Sequence, residues 1–131
     1  MTRPDGDPEC SFLWWIALRL GWAFRGLFDF LREPQNAFVH IPAALLVFLV
    51  AFLLRINATE WCLIIIAVAM VLVAEGLNSA LESLADAVHP MEHPLVGRAK
   101  DVAAGAVLMA SFAAAAIGLI VFGPKLWALV G

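Results

Sequence analysis

The sequence predicts an all-α integral membrane protein with an amphipathic N-terminal surface helix followed by three transmembrane helices. Three observations predict it. Of 131 residues, 63% are hydrophobic and 15% charged, and the mean hydropathy is +0.92, far more apolar than a soluble domain. The apolar residues fall into three long runs separated by short polar turns. Ahead of them lies a segment in which tryptophans and phenylalanines alternate with arginines.

The first ten residues are polar and acidic, carry Pro4 and Pro8, and lack the positive start of a secretory signal, so they read as a disordered tail. Residues 11–32 follow, with Trp14, Trp15, Leu18 and Trp22 among Arg19, Arg25, Asp29 and Arg32. That composition predicts a helix lying on the membrane, because a spanning helix would carry three arginines into hydrocarbon. The spans are expected at about 36–55, 60–88 and 99–122. The first contains eighteen uncharged residues, Ala37 to Leu54, about the least that crosses a bilayer. Asn57 to Glu60 supplies a turn, with Thr59 in place to cap the next helix. Pro90 and Pro94 bracket the second loop, and Gly123-Pro124 is read as the end of the third span.

Charge placement sets the orientation. Arg3, Arg19, Arg25, Arg32, Arg98 and Lys100 fall on one side of these spans, Arg55 and Lys125 on the other, which puts the N-terminus and second loop in the cytoplasm. Arg55 and Lys125 read as snorkelling anchors, and the alanine-rich third span as a face for close helix packing. No basic stripe offers itself to nucleic acid. Cys10 and Cys62 form no CxxC and read as unpaired.

The second span is apolar only to Ala74. Glu75, Asn78, Glu82 and Asp86 then follow at offsets 0, 3, 7 and 11, which at about 100° per residue lie along one helix face. Each ionised acid costs at least ~2.5 kcal/mol near the bilayer centre, so this seam points to function rather than stability. Glu75 sits deepest. A dry carboxylate there suits a general base, while Glu82 and Asp86 near the surface suit water and Mg²⁺, and Arg98 and Lys100 suit phosphates. The same residues equally suit a proton relay or ion path, and neither GxxxxGK[ST] nor GxGxxG is present.

The run Glu75-Gly76-Leu77-Asn78-Ser79-Ala80-Leu81-Glu82, then Asp86, His93 and Gly97-Arg98-Ala99-Lys100-Asp101, resembles the signature of the prokaryotic diacylglycerol kinase and undecaprenol kinase family. The similarity extends from about Arg19 to the C-terminus, taking in Phe24-Arg25-Gly26-Leu27, Asn36, His40 and Glu60-Trp61. The resemblance implies a homotrimeric lipid kinase that uses ATP and Mg²⁺ at the inner membrane of a bacterium. Lipid would enter sideways from the bilayer and nucleotide from the cytoplasm. It implies Glu75 as catalytic base, Asn78 orienting it or the substrate, and Glu82 as a metal ligand that also meets the nucleotide. Lys100 and Asp101 would contact the nucleotide, with Asp86, Glu92 and His93 on the same side and Trp22 stacked against it. His40 and His89 read as hydrogen-bonded residues near the membrane surface.

Two positions depart from the family pattern. Pro34 stands where a second metal-binding glutamate is usual, so Glu33, one residue earlier, becomes the expected ligand. Phe38 replaces a basic residue common two positions before the histidine. His40 and the stretch Leu84-Ala85-Asp86-Ala87-Val88, with Pro90 and His93-Pro94-Leu95 after it, resemble the undecaprenol branch of the family more closely, which implies undecaprenol over diacylglycerol as acceptor. A small ion or proton channel, or an inactive relative, is the rival expectation. The layout predicts that single-cysteine probes before Ser11 and at Met91 react from the cytoplasm and a probe at Asn57 from outside. Same-side labelling of Met91 and Asn57 removes the three-span arrangement.

Overall fold

The computed structural model describes residues 8–34, 36–91 and 93–130. These are helical almost throughout, with no strand among them. The chain divides into two units, Met1–Val39 and His40–Gly131, each considered by itself.

In the first unit, helix α1 runs Pro8–Arg32. Its first turn therefore takes in residues that the sequence assigned to the tail. Proline is tolerated there because the first helical N–H groups have no partner to lose. Trp15, Trp22, Phe24 and Phe28 are exposed, and the Arg19 and Arg32 guanidinium groups lie 3.9 Å over the Trp15 ring and 4.0 Å over the Phe28 ring. Aromatic and cationic groups thus share the surface, as an interfacial helix requires. The helix is closed by Asn36, whose buried amide donates to Phe30 O at 3.0 Å and to Glu33 Oε2 at 3.1 Å. Phe30 O, which shares the Glu33 N–H with Asp29 O, thereby gains a second donor at the helix end.

A π-helical turn, Asn36–His40, leads into α2, Ile41–Leu53. Helix α2 ends in a Schellman turn, in which Ile56 N–H donates to Ala51 O at 3.3 Å and Arg55 N–H to Phe52 O at 3.1 Å. That turn holds Arg55 at φ 48°, a left-handed conformation in which glycine is the usual residue. The turn delivers Ile56 to a small core with Ala51, Ile64 and Val121, flanked by Phe48 stacked on Trp61 at 6.2 Å.

Helix α3 spans Ala58–Val88. Its cap is Asn57, not Thr59, which lies within the first turn. Asn57 Oδ1 accepts from Glu60 N–H at 3.0 Å, and Glu60 Oε2 accepts from Asn57 N–H at 2.7 Å. This is a reciprocal capping box, and it wins because it satisfies two backbone donors where a threonine would satisfy one. Helix α4 spans Pro94–Val130 and continues through Gly123 and Pro124 instead of stopping there. Lys125 Nζ, 3.1 Å from Glu60 Oε2, ties the segment beyond the proline to the start of α3. At the other end of the same antiparallel hairpin, Lys100 pairs with Asp86.

Helices α3 and α4 are each long and apolar enough to cross a membrane, and few of their residues are buried. The third apolar helix, Phe38–Leu53, is shorter. At 1.5 Å per residue its sixteen residues cover about 24 Å, less than the ~30 Å of hydrocarbon. Leu45, Phe52, Ile66, Phe112, Leu119 and Ile120 all face outward, an apolar exterior that suits lipid or a neighbouring copy and not water.

The two turns flanking residue 56 make a paired stability prediction. Asn57→Ala removes the cap and is expected to cost about 1 kcal/mol. Arg55→Gly relieves the left-handed residue and is expected to stabilise by roughly the same amount. Denaturant titration in detergent micelles checks both. Equal or same-sign effects would show that these caps do not govern the hairpin.

Candidate active site

The seam on α3 grades from dry to wet. Glu75 is 6% exposed, Asn78 is half-buried, Glu82 is exposed, and the Asp86 side chain is 69% exposed. Eleven residues separate its ends, about 16 Å along the axis. An extended helix that crosses from apolar to polar surroundings does this automatically, because one face keeps its direction while its depth changes.

Each member meets a different partner. Glu75 Oε1 lies 3.0 Å from His40 Nε2, at the start of α2. Asn78 Nδ2 donates to Glu82 Oε1 at 3.1 Å, so the amide is turned toward Glu82 and not toward Glu75. Asn78 Oδ1 is buried without a partner, an acceptor beside an exposed carboxylate. Asp86 accepts from Lys100 Nζ.

Beyond Asp86 the loop and the first turns of α4 form a concavity of about 560 Å³ lined by Asp86, His89, His93, Val96, Gly97 and Lys100 among others. The His89 and His93 rings lie 5.2 Å apart. His93 Nδ1 accepts from Leu95 N–H at 3.2 Å, which leaves Nε2 as the protonated nitrogen and an available donor. His89 Nδ1 is 2.9 Å from Met91 O, the geometry of an Nδ1–H donating to a carbonyl. The hollow therefore offers a lysine ammonium, an imidazole N–H and the positive end of α4, all attractive to phosphate oxygens. Asp101 and Arg98 are exposed on the same helix.

Trp22, 65% exposed on α1, and Glu33, held by Asn36, belong to the first unit. Glu92 lies outside the described residues. The described residues contain no convergence of three His, Cys, Asp or Glu side chains that would by itself hold a metal. What they offer is the exposed Glu82 carboxylate, held on one oxygen by the Asn78 amide. An exposed carboxylate of that kind fits Mg²⁺, which takes one or two carboxylates and completes its shell with substrate phosphates and water.

Sequence reading missed the pairing of His40 with Glu75. The available signal was that a buried carboxylate needs a donor, and His40 is the one polar side chain in the uncharged run Ala37 to Leu54.

A profile described as prokaryotic diacylglycerol kinase matches residues 21–122. An undecaprenol kinase of Bacillus subtilis (strain 168) is 36% identical over 104 residues, covering 79% of this chain and 85% of that protein. A diacylglycerol kinase of Escherichia coli (strain K12) is 37% identical over 96 residues, covering 73% and 71%. A diacylglycerol kinase of Synechocystis sp. is 34% identical over 116 residues, covering 88% of this chain and 65% of that protein. A match across most of the chain, embracing the whole acidic seam and the loop beyond it, means that this protein belongs to the prokaryotic diacylglycerol kinase family.

Proposed function

We propose that this chain transfers the γ-phosphoryl group of ATP to the hydroxyl of a membrane lipid, with undecaprenol preferred to diacylglycerol. The observation that carries this reading is the dry-to-wet seam of α3, which ends in a buried carboxylate at Glu75 and begins at a phosphate-attracting hollow. Family membership supports lipid phosphorylation in general. The match to an undecaprenol kinase over 85% of its length supports the polyisoprenoid acceptor.

The transfer balances as follows. The lipid hydroxyl oxygen forms a bond to the γ-phosphorus as the bond to the β,γ-bridging oxygen breaks, and its electron pair leaves with ADP. The hydroxyl proton passes to Glu75, the general base. Glu82, oriented by Asn78, and Glu33 would hold Mg²⁺, whose charge would offset that on the phosphate oxygens. Lys100 neutralises the phosphates and His93 orients them through Nε2–H, with Asp86 fixing Lys100. Trp22, Glu92 and Asp101 complete the nucleotide contacts. Small residues on α3 and α4, including Ala69, Ala103, Ala106 and Ala113 around an apolar hollow of about 810 Å³, would let helices of other copies approach closely, in keeping with a homotrimer. The N-terminus and the hollow face the cytoplasm, where ATP is found.

Vesicles containing the protein, labelled ATP, Mg²⁺ and either undecaprenol or diacylglycerol test the class and the acceptor together. Undecaprenyl phosphate should be the better product. In the same assay Glu75→Gln is expected to reduce transfer by about 10²- to 10⁴-fold with ATP affinity retained. A variant that still works near the original rate is not missing its base, and loss of ATP binding would give Glu75 a structural role.

A second prediction concerns the metal. Glu82→Gln should raise the Mg²⁺ concentration needed for half-maximal turnover by an order of magnitude or more, and Glu33→Gln should raise it less. An unchanged Mg²⁺ requirement in Glu82→Gln removes that carboxylate from the metal, and sensitivity to Gln35→Ala without sensitivity to Glu33→Gln moves the second ligand.

A further inference from the structure

Glu75 is too deeply buried to rely on water for its hydrogen bonds, and an unpaired acceptor there costs several kcal/mol. Among the described residues its one charged or titratable partner within 4 Å is His40. The contact is specific in three ways. It joins Nε2 to Oε1 at 3.0 Å. His40 is fixed by its backbone, since it closes the π-helical turn and is followed by Ile41-Pro42 at the first turn of α2. Single π-type turns of this sort occur preferentially at functional positions. His40 is also the one polar side chain lining an apolar groove of about 580 Å³ between α2, α3 and α4, whose walls include Ala44, Val47, Ala67, Val71 and Leu119. The imidazole thus stands between an apolar passage and the buried carboxylate.

We propose that His40 is a positioning residue for phosphoryl transfer, resting on the reading of Glu75 as the base. Its Nε2–H donates to Glu75 Oε1, fixes the plane of the carboxylate and leaves Oε2 as the oxygen that takes the hydroxyl proton. His40 itself keeps its proton throughout and touches neither ATP nor phosphorus. This is the orienter's part in a base–orienter pair, in which the third group acts only through the second. It also gives the π-helical turn a purpose, because a residue inserted into the helical repeat re-aims the side chain at its end.

Two amides of different reach separate positioning from general polarity. The Gln side-chain nitrogen reaches about as far as His Nε2, whereas the Asn nitrogen stops near the place of Nδ1. Both keep a polar residue at the head of α2. In vesicles with ATP, Mg²⁺ and undecaprenol, His40→Gln should hold kcat within about threefold of the parent. His40→Asn should lose about 10- to 100-fold, the scale expected when a reacting group is misplaced by an ångström. The KM for ATP should move in neither, and adding His40→Asn to Glu75→Gln should cost nothing further. Equal kcat in the two amide variants, or a changed KM for ATP with unchanged kcat, overturns the proposal. If Glu75→Gln is inactive while both His40 variants match the parent, only His40 has been misassigned. If Glu75→Gln is itself active, the base reading fails independently of His40.

Discussion

A carboxylate carried into apolar surroundings must find a donor, and α3 carries such a group at Glu75 on a face shared with two further acids. The rest of the second unit can be read as the arrangement that makes this helix tolerable. Lys100 on α4 meets Asp86 at the wet end, Asn78 meets Glu82 within the helix, and His40 at the head of α2 meets Glu75. None of these contacts is an economical way to stabilise a membrane helix, since leucine at each position would avoid the desolvation altogether. Their presence places the energetic cost of the fold on the acidic seam to which the proposed chemistry is assigned.

The hairpin of α3 and α4 is pinned at both ends. Glu60 is at once half of a capping box and the partner of Lys125, while Asp86 and Lys100 bind the loop end. Between these pins the core is small: Ala51, Ile56, Ile64 and Val121 are buried, and most large apolar side chains face outward. In a bilayer such exposure carries no penalty, so specificity of packing falls to small residues and to the polar end contacts. This explains why α4 can run through Pro124. A lost backbone hydrogen bond beside an ion pair that holds the following turn costs less than breaking the helix in an apolar medium, where more groups would go unsatisfied.

Most of the helical layout was legible because hydropathy is a strong signal and turn residues bound it. The errors fell where two local rules competed. Thr59 is a reasonable cap, but Asn57 with Glu60 three residues later makes the reciprocal box and takes the position. Gly123-Pro124 is a sound terminator in water and a weak one where tertiary contacts persist beyond it. The seam itself followed from helical periodicity alone, so Glu75, Asn78, Glu82 and Asp86 could be set on one face from the sequence. Their partners could not. Which side chain answers Glu75 depends on how α2 enters the unit, and that entry is set by a π-helical turn with no signature in composition. His40 was read as an ordinary interfacial histidine because nothing within a helical turn of it in sequence calls for a donor.

The gradient along α3 also resolves a tension inherent in phosphorylating a lipid. The phosphate donor is highly charged and needs cations, polar contacts and access to water, whereas the acceptor hydroxyl sits on a molecule that does not leave the bilayer. A protein that surrounded both with one environment would exclude one of them. A single helix about 46 Å long, with its reactive face running from a 6%-exposed glutamate to a largely exposed aspartate, offers both environments on one rigid element. On the proposed reading the proton acceptor, Glu75, lies at the apolar end, near where a membrane-bound hydroxyl would arrive. The groups that suit metal and phosphate lie one to three turns closer to water. On a continuous helix the axial separation between base and phosphate groups is set by covalent geometry, so the fold needs no soluble nucleotide-binding domain to bring them into register.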